Sequence, residues 1–115
     1  MKTHKMKLRS KYFDFIKNGS KKIEVRLNDE KRRGISVGDQ ITFEELTDEN
    51  PRYLTVKVVD LYHEKTFNDL LDKFDVSLFA DKNATKADLS EVLNEIYSIE
   101  EQNKYGVLGI KIEVI

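Results

Sequence analysis

The sequence predicts an α+β fold, a small, mostly antiparallel β-barrel of about five or six strands with helices flanking its openings. Apolar residues recur with period two in several separate stretches, the pattern of half-buried strands. Strands follow one another without a regular helix between each pair, which argues against a doubly wound parallel sheet. Finally, 115 residues with 39% hydrophobic and 36% charged content and a single proline suit one compact domain spanning residues 1–115.

The elements follow in order. In "HKMKLR", His4, Met6 and Leu8 share one face and Lys5, Lys7 and Arg9 the other, a first strand. "SKYFDFIKNG" reads as a short helix, with Ser10 as N-cap, Tyr12, Phe13 and Ile16 on one side, and Asn18-Gly19 as its stop. "KKIEVRLN" alternates again, with Ile23, Val25 and Leu27 expected inward and Lys22, Glu24, Arg26 and Asn28 outward. After a polar connection, Val37-Gly38-Asp39 turns the chain into the strand "QITFEEL". "YLTVKVVDLYHEK" is rich in β-branched residues and reads as a long, bent strand. Two helices follow, one opening at Thr66 with Asp69 three residues on, the other at Thr85 with Asp88 in the same relation; both approximate a capping box. Their apolar faces are Phe67, Leu70, Leu71 and Phe74, then Leu89, Val92, Leu93 and Ile96. "SLFADKN" is expected as loop or helical turn and "IEEQNKYG" as loop, before "VLGIKIEVI" closes the chain as a strand.

Composition excludes several classes of function. There are no cysteines, so neither disulfides nor thiolate metal sites can form, and a reducing, cytoplasmic setting is the default expectation. The basic N-terminus has no apolar core of the signal-peptide kind, and no apolar run is long enough to span a membrane. His4 and His63 have no partner at metal-ligand spacing, and no phosphate-binding glycine loop occurs. No metal or cofactor is therefore expected. The net charge of −1 conceals a division: residues 1–33 hold twelve Lys/Arg against four Asp/Glu, a balance of +8, which leaves −9 for the remainder. Such asymmetry points to a basic face that meets an anion.

The densest part of that basic region is "NGSKKIEVRLNDEKRR". Residues two apart on a strand project from one face roughly 6.5–7 Å apart, so Glu24 and Arg26 form an acid beside a forked base. Arg26 can take a phosphate or carbonyl with two donors, while Glu24 holds it or accepts from a base edge. Alternation alone is equally consistent with an ordinary surface ion pair of small value.

The segment "GSKKIEVR" matches GxKxxExR at Gly19, Lys21, Glu24 and Arg26, and this signature resembles that of the activating-signal-cointegrator homology (ASCH) domain of the PUA-like superfamily. The stretch from "MKLRSKYF" through "VGDQITF" and the closing "KYGVLGIKI" is similar to the same family, so the resemblance covers essentially the whole chain. It implies a PUA-like β-barrel whose helices flank a cleft lined by the motif, and a role in RNA metabolism. Parity would put Lys22 on the Glu24/Arg26 face, whereas the motif lysine is Lys21; both are kept as candidate contacts.

Three functions are then open. The first is an RNA-binding module, with Gly19, Lys21, Lys22, Glu24 and Arg26 at the ligand, Lys7, Arg9 and Arg33 attracting phosphates, and Tyr105 stacking on a base. Tyr12 is a second stacking candidate, though its helical spacing with Ile16 favours the core. The second is a small hydrolase on a modified nucleoside or nucleotide such as N4-acetylcytidine, or a nuclease, with Lys21 and Glu24 as catalytic residues. Related amidohydrolases of this type carry a threonine where this chain has Glu24, so the route would need Glu24 to activate water while Lys21 stabilises an oxyanion. The third is a protein-interaction module in which the basic face binds an acidic partner, and such a partner should be sensitive to the Arg32/Arg33 loop.

Overall fold

The computed structural model describes residues 1–115. Its single sheet runs β1 (Thr3–Arg9), β2 (Ile23–Leu27), β3 (Gln40–Leu46), β4 (Tyr53–Glu64) and β5 (Val107–Val114) in the chain, in the spatial order β1-β3-β4-β5-β2. The β1–β3 pair is parallel and the other three are antiparallel. Helix α1 (Ser10–Lys17) lies between β1 and β2 in sequence, and α2 (Phe67–Asp72), α3 (Lys86–Ile96) and α4 (Ile99–Tyr105) lie between β4 and β5. A 3-10 turn at Val76–Phe79 links α2 to α3.

The sheet curls because β4 belongs to two ladders. Its first half pairs with β3 and its second half with β5, with a bulge between Val58 and Asp60 where the strand turns the corner. The long strand expected from its β-branched composition is thus bent. Twelve buried side chains fill the concave side, among them Met6, Leu8, Phe13, Ile16, Ile41, Phe43, Val56, Leu108 and Ile110. The expected barrel is thus a half-barrel: β1 and β2 are its two ends, and no ladder joins them.

A second apolar cluster lies on the convex side of β2 and β5. Ile23, Leu27 and Val107 meet Phe67, Leu70 and Leu71 of α2, Phe79 of the 3-10 turn, and Leu89 and Leu93 of α3. Gly109 on β5 is what lets α2 approach, since a Cβ there would lie 3.0 Å from a Leu70 methyl. β2 is therefore covered on both faces. Ile23 and Leu27 point to the helical layer rather than into the barrel, and Glu24 and Arg26, expected outward, project to the concave side beside Ile110 and Leu108. Parity gave the alternation correctly but assigned its two faces the wrong way round, because a strand buried on both sides has no solvated face to mark.

Two local expectations also change. "IEEQNKY" is helix α4, not loop, started by a full capping box in which Ser98 accepts from the Glu101 amide and the Glu101 carboxylate accepts from the Ser98 amide. Ser10 is the first residue of α1 rather than a capping side chain. Thr66 and Thr85 cap α2 and α3 as expected.

Candidate functional site

The motif begins where α1 ends. Gly19 adopts φ +87°, a left-handed conformation in which a side chain is strained, and its amide donates to the Ile16 carbonyl. The Lys21 amide then donates back to the Phe15 carbonyl, and the Lys22 amide to that of Leu78. This reversal delivers the Lys21 side chain into the gap between β1 and β2. Gly19 thus acts by shaping the backbone.

Lys21, Glu24 and Arg26 form one network. The Lys21 ammonium donates to the Phe79 carbonyl at 2.9 Å and lies 3.2 Å from Oε1 of Glu24 and 5.4 Å from the Tyr12 ring centre. Oε1 also accepts from the Val25 amide at 3.1 Å. Arg26 grips the other oxygen, Oε2, through Nε at 3.1 Å and Nη2 at 2.8 Å, and Nη2 reaches the Lys7 carbonyl on β1 at 2.8 Å. The guanidinium therefore bridges the two ends of the half-barrel that no ladder joins. Side-chain exposure is 3% for Lys21, 5% for Glu24 and 14% for Arg26, so the group is taken out of bulk water.

Burial sets the charges. For Glu24, burial alone would favour the neutral acid, but Lys21 and Arg26 outweigh it and hold the carboxyl below its ordinary value. Burial pulls Lys21 below the usual lysine value, and Glu24 offsets only part of that effect. Both Glu24 oxygens already accept two donors each. Arg26 Nη1 has no partner, and Lys21 retains a third N–H.

These groups form the floor of a cleft of about 300 Å³. Tyr12 and Tyr97 flank it, Leu89, Val92, Leu93 and Ile96 of α3 form an apolar wall, and Lys7, Arg9 and Leu46 stand along the β1–β3 side. Of the residues expected from sequence, Lys7, Arg9, Lys21, Glu24 and Arg26 come together here. Lys22 is exposed and outside the lining, so the motif position rather than parity identified the inward lysine. Arg33 donates to the Asn28 carbonyl away from the cleft, and Arg32 is paired with Asp29. Tyr105 ends α4 and packs on the second apolar cluster, under the side chain of Lys104. The tyrosines at the cleft are Tyr12, which also packs against both apolar clusters as its helical spacing predicts, and Tyr97. The apolar face of α3 is core only in part: Leu89 and Leu93 are buried, but Ile96 is 48% exposed at the cleft. Tyr97, following directly on that face, was the available signal.

His4 donates to or accepts from Asp39 at 2.8 Å on the barrel's rim, and Asp39 also accepts from the Lys2 and Ser36 amides. No group of three or more His, Cys, Asp or Glu side chains could hold a metal ion, and no helix is long and apolar enough to cross a membrane.

Comparison with known proteins agrees with this architecture. A family model described as ASCH domain matches residues 6–115. The fold is similar to the crystal structure of hypothetical protein PH0355, at 36% identity over all of both chains with a TM-score of 0.85. It is also similar to the solution structure of protein PF0455 from Pyrococcus furiosus, at 33% identity over 98% of this chain and 97% of that one with a TM-score of 0.76. No curated protein matches the chain.

Proposed function

This chain belongs to the ASCH domain family, whose members generally bind RNA, and from that premise we propose that it is an RNA-binding module whose cleft takes one unpaired nucleotide. The observation that carries this reading is the floor. Glu24 is saturated as an acceptor, while Arg26 Nη1 and one Lys21 N–H stay unbonded beside two tyrosine rings. Glu24 is then a brace that orients two donors toward a ligand. A volume of about 300 Å³ lies at the small end of ligand sites and suits a single nucleotide rather than a duplex. Tyr12 and Tyr97 offer stacking surfaces, and exposed Lys7 and Arg9 attract the flanking backbone.

Fluorescent single-stranded, hairpin and transfer RNAs, titrated at two salt concentrations, test the proposal. Binding should favour unpaired RNA. With about three phosphate contacts it should weaken by about an order of magnitude between roughly 50 and 200 mM salt. Arg26→Ala should lose it. Because that variant also removes the β1–β2 bridge, the exposed double variant Lys7→Ala/Arg9→Ala serves as a folded control, and unchanged affinity in both would refute the module.

One observation favours a second reading. Burial lowers the Lys21 pKa, as suits an amine that must give or take a proton. A hydrolase of a modified nucleoside such as N4-acetylcytidine, or a nuclease, would then rely on Lys21. Glu24, held ionised with both oxygens engaged, is ill suited to be its base. Lys21→Arg keeps the positive charge and separates the readings: turnover that disappears while binding persists favours the enzyme.

A further inference from the structure

We infer that the ligand enters this cleft phosphate first, and that the group seated on Lys21 and Arg26 is a terminal phosphate monoester, carried by a free mononucleotide or by the phosphorylated end of an RNA strand. The inference rests on the reading of the cleft as a nucleotide site and specifies which part of the nucleotide meets the floor.

Charge is the first argument. The cleft lining carries four cations, Lys7, Arg9, Lys21 and Arg26, and one carboxylate, Glu24. At the floor itself Glu24 faces two cations, both nearly or largely withdrawn from water. An excess positive charge in such a place is costly unless an anion pairs with it.

Hydrogen-bond polarity is the second argument. What the floor group leaves unused are donors: Arg26 Nη1 and the third Lys21 N–H, while Glu24 is fully occupied. A nucleobase edge presents donors among its acceptors, and an amino group lowered onto this floor would meet two cations. Phosphate oxygens are acceptors only and match a guanidinium fork.

Access is the third argument. The Lys21 and Glu24 side chains are no more than 5% exposed, whereas Lys7, Arg9, Leu46 and Ile96 on the other parts of the lining are exposed. A phosphodiester must continue in two directions and would need two exits from the floor. A monoester needs one, and it carries −1.5 to −2 charges near neutral pH, roughly. Sugar and base then lie against the tyrosines and the α3 wall, where Leu89, Val92 and Leu93 exclude water and strengthen the ionic contact.

The test uses the wild-type chain and short single-stranded RNAs of one sequence that differ only in bearing a 5′-phosphate, a 3′-phosphate or hydroxyls at both ends. Uridine, its 5′- and 3′-monophosphates and inorganic phosphate serve as competitors. One phosphorylated strand should bind at least about tenfold tighter than the dihydroxyl strand, the scale of one charge-assisted fork, with the matching monophosphate competing where uridine does not. If the monophosphate binds while no RNA strand does, the monoester inference stands, the source is the free nucleotide, and the RNA module falls. Equal affinity for all strands, with no competition by a monophosphate, overturns the inference and leaves the RNA module intact. No binding of any probe overturns both. In Arg26→Lys, checked for folding by circular dichroism, the preference for the phosphorylated end should shrink several-fold; an unchanged preference would count against Arg26 as its reader.

Discussion

The molecule contains two arginine–glutamate forks of nearly the same design, and their difference shows what turns an ion pair into a site. Arg52 holds Glu45 through Nε at 3.1 Å and Nη2 at 2.8 Å, adds Asp14 at 2.8 Å, and lies over the Phe13 ring at 4.6 Å. Arg26 holds Glu24 at the same two distances but adds a backbone carbonyl and shares its carboxylate with Lys21. The Arg52 fork thus has one cation among two carboxylates, and the Arg52 side chain is 41% exposed, so water serves its remaining donors. The Arg26 fork has two cations on one carboxylate, nearly dry, facing a cleft. The first joins β3 and α1 to the residue that precedes β4. The second lines a space that a ligand can fill, with an excess of positive charge and donors that have no protein partner.

Removing the shared carboxylate should therefore separate the two forks most sharply. Glu24→Gln leaves Lys21 and Arg26 together without their counter-charge, and loss of one partner from a buried pair costs about 3–5 kcal/mol. Glu45→Gln should cost clearly less, because Arg52 keeps Asp14 and solvent. Urea denaturation of both variants measures the difference. Equal losses would mean that the Glu24 network is no more desolvated than the Arg52 fork.

Lys21→Met should have a smaller effect on stability. It leaves Glu24 paired one-to-one with Arg26 and removes an ammonium that burial opposes. The Phe79 carbonyl loses its Lys21 donor, at a cost of about 1–3 kcal/mol for an unsatisfied buried group. Apolar packing near the Tyr12 ring offsets part of this. The ordering is the prediction: Glu24→Gln is worse than Lys21→Met for stability, while Lys21→Met still weakens anion binding by about tenfold.

The pH dependence distinguishes the forks further. Hydrogen bonds from Arg52, then from Ser10, hold Glu45 at about 2, and Glu24 also lies below its ordinary value. In both, the stabilisation is complete above the unfolded carboxylate value of about 4.3 and is lost as pH falls through the folded one. The acid limbs should accordingly look alike, each flattened by its own Glu→Gln change. The alkaline side differs. Lys21 is lowered in the folded state, so between that value and the ordinary lysine value of about 10.4 the unfolded chain binds more protons and folding stability rises with pH. Wild type should gain on Lys21→Met there. Arg52, raised by Glu45 and then Asp14, gives no such limb. A flat difference between wild type and Lys21→Met from neutral to alkaline pH would show that Lys21 keeps its proton throughout.

How much of this was legible in the sequence follows from the kind of signal each feature leaves. The strands and the capped helices α2 and α3 were readable because period-two alternation and Thr-x-x-Asp openings are local. Helix α4 was overlooked although Ser98 and Glu101 stood at capping-box spacing, because its short body shows little apolar periodicity. The facing of β2 was not readable: alternation cannot say which face is concave when Ile23 and Leu27 meet helices from a distant segment. For the same reason the sequence leaves open that Tyr12 both packs on the core and lines the cleft, and that Tyr105 packs on the helical layer outside it. Whether a tyrosine packs or lines a cleft depends on how α1 and α3 approach β2, and no local pattern encodes that. The spacing of Lys21, Glu24 and Arg26 did carry through, since a turn at Gly19 followed by a short strand fixes it locally.

The smallest expected effect concerns the exposed basic residues, which look equivalent in the sequence and are not equivalent in space. Arg9 lies at the cleft, whereas Arg33 donates to the Asn28 carbonyl outside it. If the whole basic N-terminal third acted as a diffuse attractor, Arg9→Ala and Arg33→Ala would weaken RNA binding equally, and both would vanish at high salt. If the Arg26 fork is where the anion sits, only a cation within reach of the same strand contributes a released counterion. Arg9→Ala should then lower the salt slope by about 0.7 and affinity by about two- to threefold, with Arg33→Ala within error of wild type. Salt titrations of the two variants on one single-stranded RNA decide it. Equal slopes would show a diffuse basic attractor and leave the Arg26 fork, like the Arg52 fork, as a structural clasp.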